Sequence, residues 1–260
     1  MYKKSIYDRK SVRFLMPIVF GVFFFLFWEK GGLHWLMGLK PYDLPIPSKI
    51  AEVFAEEYPV LLKHTQVTAL EAIIGLIIGS LLGFGVAVFA TVFPNWGYGG
   101  LALMSAVNAI PTTAMAPIMN NWIGRDVGSK IAVVIFFTMA AMAINTYRGL
   151  TVLPPFALDL MNTYNATKKE IFFKLRLPNC VPSIFTALKI TCTTSMLSAI
   201  IAEFFSSYAG LGYKVNTVLQ MGKNAEGWAY IACAAAFGII MHMLVTLVES
   251  RVTRWHASQR

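Results

Sequence analysis

The chain has 260 residues, of which 57% are hydrophobic and only 13% charged, where soluble domains typically carry about 25% charged residues. The apolar residues come in long blocks rather than short alternating runs, which excludes a water-soluble core and marks an all-α membrane protein. The formal charge of +9 falls between those blocks, with no basic stripe bearing interleaved aromatics, so it reads as topological charge bias and not as nucleic-acid binding.

A span needs about 20 predominantly apolar residues, and six stretches qualify. The first, about 12–28, follows Lys3, Lys4, Arg9, Lys10 and Arg13. A signal peptide would look similar, but Glu29-Lys30-Gly31-Gly32 carries no small-x-small cleavage pattern, so the segment is expected to be retained. Within the mixed, charged residues 29–66, the stretch 48–58 opens on Ser48 as a candidate cap. It sets Ile50, Val53 and Phe54 on one side, the pattern of a short helix at the membrane surface. The second span, 67–93, holds Gly75, Gly79 and Gly83 at the four-residue spacing that lets helices approach closely in lipid. The third, 99–119, is interrupted by Pro111 and Pro117, and the fourth covers 129–147. Residues 148–182 are too charged to cross. The fifth span is 183–205 and the sixth 227–248.

Six spans put both termini on one side. The amino-terminal tail has five Lys/Arg, the 148–182 loop five (Arg148, Lys168, Lys169, Lys174, Arg176) and the carboxy-terminal tail three (Arg251, Arg254, Arg260). Those 13 exceed the eight on the other side (Lys30, Lys40, Lys49, Lys63, Arg125, Lys130, Lys214, Lys223), with Lys189 inside the fifth span. The bias places both termini and the long loop in the cytoplasm; the resemblance described below implies a multi-pass protein of the bacterial inner membrane. No Walker A loop occurs: Gly222-Lys223 lacks the upstream glycine and the following Ser/Thr. Cys180, Cys192 and Cys233 are far apart and read as structural thiols. Energy for any transport must come from a partner or an ion gradient.

In the long loop, Asp159-Leu-Met-Asn-Thr-Tyr-Asn165 is followed by Ala166 and a run ending in Leu177-Pro178. The run predicts a short helix with Phe172, Phe173 and Leu175 available for burial, Lys168, Lys169 and Lys174 exposed, and the Leu-Pro pair as its stop. This segment resembles the "EAA" loop of type I importer permeases. Asp159 stands for the acid, Met161 for the second alanine, Asn165 for the glycine and Leu177-Pro178 for the closing pair. Asn is among the few residues that visit left-handed backbone. Further matches follow in order: His64-Thr65 with Thr68 to Leu70, Ile110-Pro111 with Ala116-Pro117, Ala187-Leu188-Lys189, Ala202-Glu203 and Gly210-Leu211-Gly212-Tyr213. Together, over about 44–255, they resemble permeases of the nitrate/sulfonate/taurine type. The phrases around Lys63-His64-Thr65 and Phe185 to Ile190 are most similar to permeases for thiamine-pyrimidine precursors or riboflavin.

The resemblance implies a type I ATP-binding-cassette importer permease fold and a non-catalytic subunit. It implies a second permease copy, two ATPase subunits that carry the ATP and Mg, and an extracytoplasmic solute-binding protein. No cofactor or metal is expected in this chain. The coupling contact to the ATPase is expected at Asp159, Asn165, Ala166, Lys169, Phe172, Phe173, Leu177 and Pro178, with Phe172 and Phe173 as anchors. The alternative for the two aromatics is packing on the protein's own spans. The solute would be a heterocyclic vitamin precursor or a sulfonate-, taurine- or nitrate-like anion.

Polar groups at membrane depth need a reason. Lys189 is expected to snorkel, and Glu71 to lie wet at the interface. Glu203 is open between holding two halves together and lining an outer gate. Asn108, Thr112, Thr113, Asn145, Thr191, Thr194, Ser195 and Ser198 are the candidates, with Glu203, for the translocation pathway. The last four share a helical face, open between a polar path and Ser/Thr back-bonding. Gly210 to Tyr213 is an external turn, open between a plain turn and a contact for the binding protein. A secondary transporter driven by an ion gradient would show an internal repeat, and none is visible. A membrane enzyme would need clustered ionisable residues, whereas His34, His64, His242 and His256 are scattered.

Overall fold

The computed structural model describes residues 10–254, without the side chains of 10–14 and Ser206. The tail cations Lys3, Lys4, Arg9 and Arg260, on which the terminal charge bias partly rests, lie outside the described residues. The described chain is helical throughout: α1 (Lys10–Glu29), α2 (Gly32–Met37), α3 (Pro47–Glu56), α4 (Tyr58–Val92), α5 (Pro94–Ala109), α6 (Thr112–Ile123), α7 (Val127–Thr151), α8 (Ala157–Thr163), α9 (Lys168–Ile171), a π turn (Phe172–Arg176), α10 (Leu177–Ser206), α11 (Leu211–Gln220) and α12 (Asn224–Val252).

The centre of the fold is α7 packed between α4 and α10. The glycine stripe makes the first contact possible. A side chain on Gly75, Gly79 or Gly83 would run into Val134, Thr138 or Met142 of α7 and its carbonyls, and Thr138 Oγ1 crosses to the Gly75 carbonyl at 3.2 Å. Such close approach adds packing and an interhelical hydrogen bond where lipid supplies no hydrophobic drive.

Among the described residues, α4, α7, α12 and the run Lys168–Phe205 are long and apolar enough to cross a membrane, and α5 and α6 reach that length only as a bent pair, the form of a broken span or a re-entrant loop. The described apolar part of α1, Leu15–Glu29, is shorter. The third span expected at 99–119 is therefore two helices bent by 101°. The break sits at Ile110-Pro111, whereas Pro117 lies inside α6 without ending it. At Pro111 the ring fixes extended backbone (φ -61, ψ 129) and removes a donor, so a new helix starts after it.

The surface helix forms as α3, burying Ile50 and Val53, but Ser48 is not its cap. Pro47 occupies the first turn, where its missing N–H costs nothing, and the Ser48 N–H donates to the Glu29 carboxylate at 3.0 Å. The Leu177-Pro178 stop is also corrected, because the helix runs through it into α10. The π turn bonds the Leu177 N–H to the Phe172 carbonyl, a wider i→i+5 closure that leaves room for a ring which would clash with an α-helical carbonyl.

Candidate functional site

The two ends of the bundle carry different chemistry. At the end bearing residues 152–176, α7 and α10 are clamped together by side chains that cap the last carbonyls of α7. Arg176 Nη1 donates to Leu150 O at 2.9 Å, and Asn179 Nδ2 to Val152 O at 2.9 Å and Gly149 O at 3.2 Å. Below this clamp the chain leaves the bundle, forms α8, and returns through Asn165. Asn165 has φ 50, the left-handed conformation that a glycine would otherwise supply. The return helix α9 starts on a capping box: Thr167 Oγ1 accepts from the Glu170 N–H, and the Glu170 carboxylate accepts from the Thr167 N–H. Lys174 pairs with the same carboxylate at 3.1 Å.

The predicted coupling residues divide. Asp159, Asn165 and Lys169 are exposed, and Ala166, Leu177 and Pro178 are half-buried. Phe172 packs against Ala87, Leu150 and Cys180 of the protein's own spans, so its assignment as an outward anchor is corrected. Phe173, set edge-on to Phe172, is 63% exposed. Three residues missed in the sequence join it in exposure. Phe156 is 82% exposed, Tyr164 77% and Leu160 57%, with Leu160 inside α8 and the other two capping its ends. Phe156 has φ 62, a costly conformation for a bulky side chain. The apolar i, i+4, i+8 pattern was the available signal. The Thr-x-x-Glu capping box was a second.

The opposite end buries polar groups. Glu203 is fully buried and accepts from Thr68 Oγ1 at 2.7 Å and from the Gly212 N–H at 2.7 Å. The Thr68 hydroxyl in turn accepts the Leu211 N–H at 2.8 Å, and His64 Nδ1 accepts the Gly210 N–H at 3.0 Å. Glu71, expected to be wet, is 1% exposed and lies against Glu203, with no hydrogen-bond donor on either oxygen among the described residues. Lys130, counted above as a loop cation, is also fully buried and donates to Arg125 O at 2.6 Å. Glu203 therefore lines no open gate in this chain; it joins α10 to α4 and to the start of α11. Lys189 does not simply snorkel, because it pairs with Glu249 of α12 at 2.8 Å.

The polar face of α10 turns inward. Thr191, Ser195 and Ser198 are buried, with Thr191 Oγ1 bonded to Ala187 O at 2.9 Å and Ser195 Oγ to Cys192 O at 2.9 Å. Half-buried Thr194 bonds back to Ile190 O, and Asn145 to Ala141 O. At the break between α5 and α6, Asn108 and Thr113 are exposed and Thr112 is half-buried.

A family described as "Binding-protein-dependent transport system inner membrane component" matches residues 75–254. The chain belongs to this family. It is thus a permease component of an ABC importer in the inner membrane. The formylaminopyrimidine transport permease protein ThiX of Halalkalibacterium halodurans is 26% identical over 96% of this chain and 100% of that protein. The riboflavin transport system permease protein RibX of Chloroflexus aurantiacus is 26% identical over 90% of this chain and 87% of its own. Permeases named for aliphatic sulfonates, nitrate and taurine are further relatives. In fold, the permease is similar to an inward-facing MetNI methionine ABC transporter chain, with a TM-score of 0.64 at 17% identity, covering 76% of this chain and 97% of that one.

Proposed function

We propose that two copies of this permease form a pathway for a small heterocyclic vitamin precursor, powered by two separate ATPase subunits and supplied by an extracytoplasmic binding protein. The observation that carries the ATPase contact is the exposed apolar set Phe156, Leu160, Tyr164 and Phe173, 57–82% exposed in the segment between α7 and α10. Exposed aromatics held on a rigid turn are what a docking site requires, and the cap and clamp make the segment stiff enough to transmit a rigid-body motion. This end faces the cytoplasm, as do both termini, in keeping with the positive-inside bias. ATP and Mg belong to the partner, and this chain holds no catalytic group in the scheme.

The solute class is supported by the pyrimidine and flavin relatives, whose matches extend over nearly their whole length. The solute meets the chain at the break between α5 and α6. There Asn108, Thr112 and Thr113 offer amide and hydroxyl groups beside a helix start with unpaired N–H groups. The test is uptake into proteoliposomes holding the permease with its ATPase and binding protein. Uptake of a formylaminopyrimidine or riboflavin that stops without ATP supports the reading. Uptake that continues without ATP, or that follows only a sulfonate or nitrate, removes the power source or the solute class respectively.

A further inference from the structure

The link between α10 and α11 looks like a swivel: four residues, 207–210, ending on a glycine with φ 101. Its bonding is that of a joint closed on all sides. Three consecutive backbone amides, those of Gly210, Leu211 and Gly212, donate to His64, Thr68 and Glu203. Two of those acceptors lie on α4 and one on α10. These are three of the four amides that a helix start leaves unpaired, and here tertiary side chains take all three. The glycines are required for the fit. A side chain on Gly210 would overlap the Glu203 carboxylate, and one on Gly212 would overlap the Ile200 carbonyl. Asn216 Nδ2 adds a clasp from the next turn of α11 to Phe204 O at 2.9 Å, while Leu211, Val215 and Val218 join the main core. In the other direction, α10 continues without a break through the π turn to Lys168, an apolar run of 38 residues about 57 Å long.

We infer that Glu203 and Thr68 are positioning residues that rivet α11 to α10 and α4, so that the coupling segment, α10 and α11 move as one body and a displacement at the ATPase end reaches the opposite face at α11. The inference rests on the proposed importer reading only for the source of the displacement. The rivet itself is a property of the chain.

The experiment places spin labels at Thr186→Cys on α10 and Gln220→Cys on α11, both exposed positions, with Cys233→Ser, in the assembled importer diluted so that each complex has one labelled copy. One narrow distance, the same with and without trapped ATP, is expected. Thr68→Val, which keeps the shape and removes the hydroxyl, should broaden that distance even without nucleotide and lower uptake per ATP hydrolysed at an unchanged hydrolysis rate. Thr68→Ser should restore both. If Thr68→Val does not assemble, Glu203→Gln serves, since its amide nitrogen cannot accept either of the two hydrogen bonds. An α10–α11 distance that shifts on ATP trapping in the unsubstituted chain overturns the inference, as does a narrow distance in both variants. A second sample with both copies labelled reports the distance between copies; if trapped ATP leaves that distance unchanged as well, the importer reading fails. The nucleotide-free widths then decide the rivet alone.

Discussion

The two ends of this bundle invert the usual rule for where polar and apolar groups go. At the loop end, aromatics lie exposed at the ends of α8 and in the π turn, and at the other end carboxylates, a lysine and a histidine are turned inward. Aromatics held in the open on a strained φ (Phe156) make sense only if another surface covers them. A buried carboxylate that takes both a threonine hydroxyl and a backbone amide makes sense only if the chain needs that joint closed. One end leaves its apolar groups uncovered and the other covers its polar ones.

The sharpest way to break the contrast is at the closed end. Gly212→Val drives a side chain into the Ile200 carbonyl and should cost about 3 kcal/mol, the range for overpacked cores, read as lost monodisperse yield and a lower melting temperature in detergent. Normal yield would mean the joint is looser than its bonds suggest. At the receiving end the expected loss is in binding, not stability. Tyr164→Ser and Phe173→Ser should each weaken ATPase retention by about thirtyfold, the ~2 kcal/mol of a typical hot spot, with melting unchanged. Phe172→Ala should do the reverse, lowering the melting temperature through the cavity it leaves beside Leu150 and Cys180. Smaller again is Lys189→Met, which strands Glu249 and should cost about 1–2 kcal/mol; the double change with Glu249→Met should recover most of it. The smallest effect is at Asn165. Replacement by glycine should be neutral within a few tenths of a kcal/mol, and by valine should cost about 1 kcal/mol at φ 50.

Much of the frame was legible in the sequence because lipid leaves few options for a 20-residue apolar run. The glycine stripe of α4, the break at Pro111 and the left-handed Asn165 each follow from a local rule. What escaped depends on tertiary contact. Glu71 and Lys130 look like interfacial charges until α7 and α10 close over them. Thr191 and Ser195 look like a polar path until α10 turns that face to its own bundle. Phe172 and Phe173 are adjacent and chemically identical, so no pattern says which one the bundle keeps. Pro178 misled for a different reason: its cost was judged for an α-helix, and the chain uses a π turn there.

That π turn has a further consequence. An α-helix advances about 100° per residue, and a π turn accommodates one residue more than the α-helical count. The five residues Phe172–Arg176 therefore set a phase slip between the two halves of the 38-residue run. Deleting one of them would let the run close as an ordinary α-helix with Pro178 back in conflict. With one of residues 174–176 removed, Phe173 would take the exposed place of Lys174 and Phe172 that of Phe173, so a single extra residue decides which ring the bundle keeps.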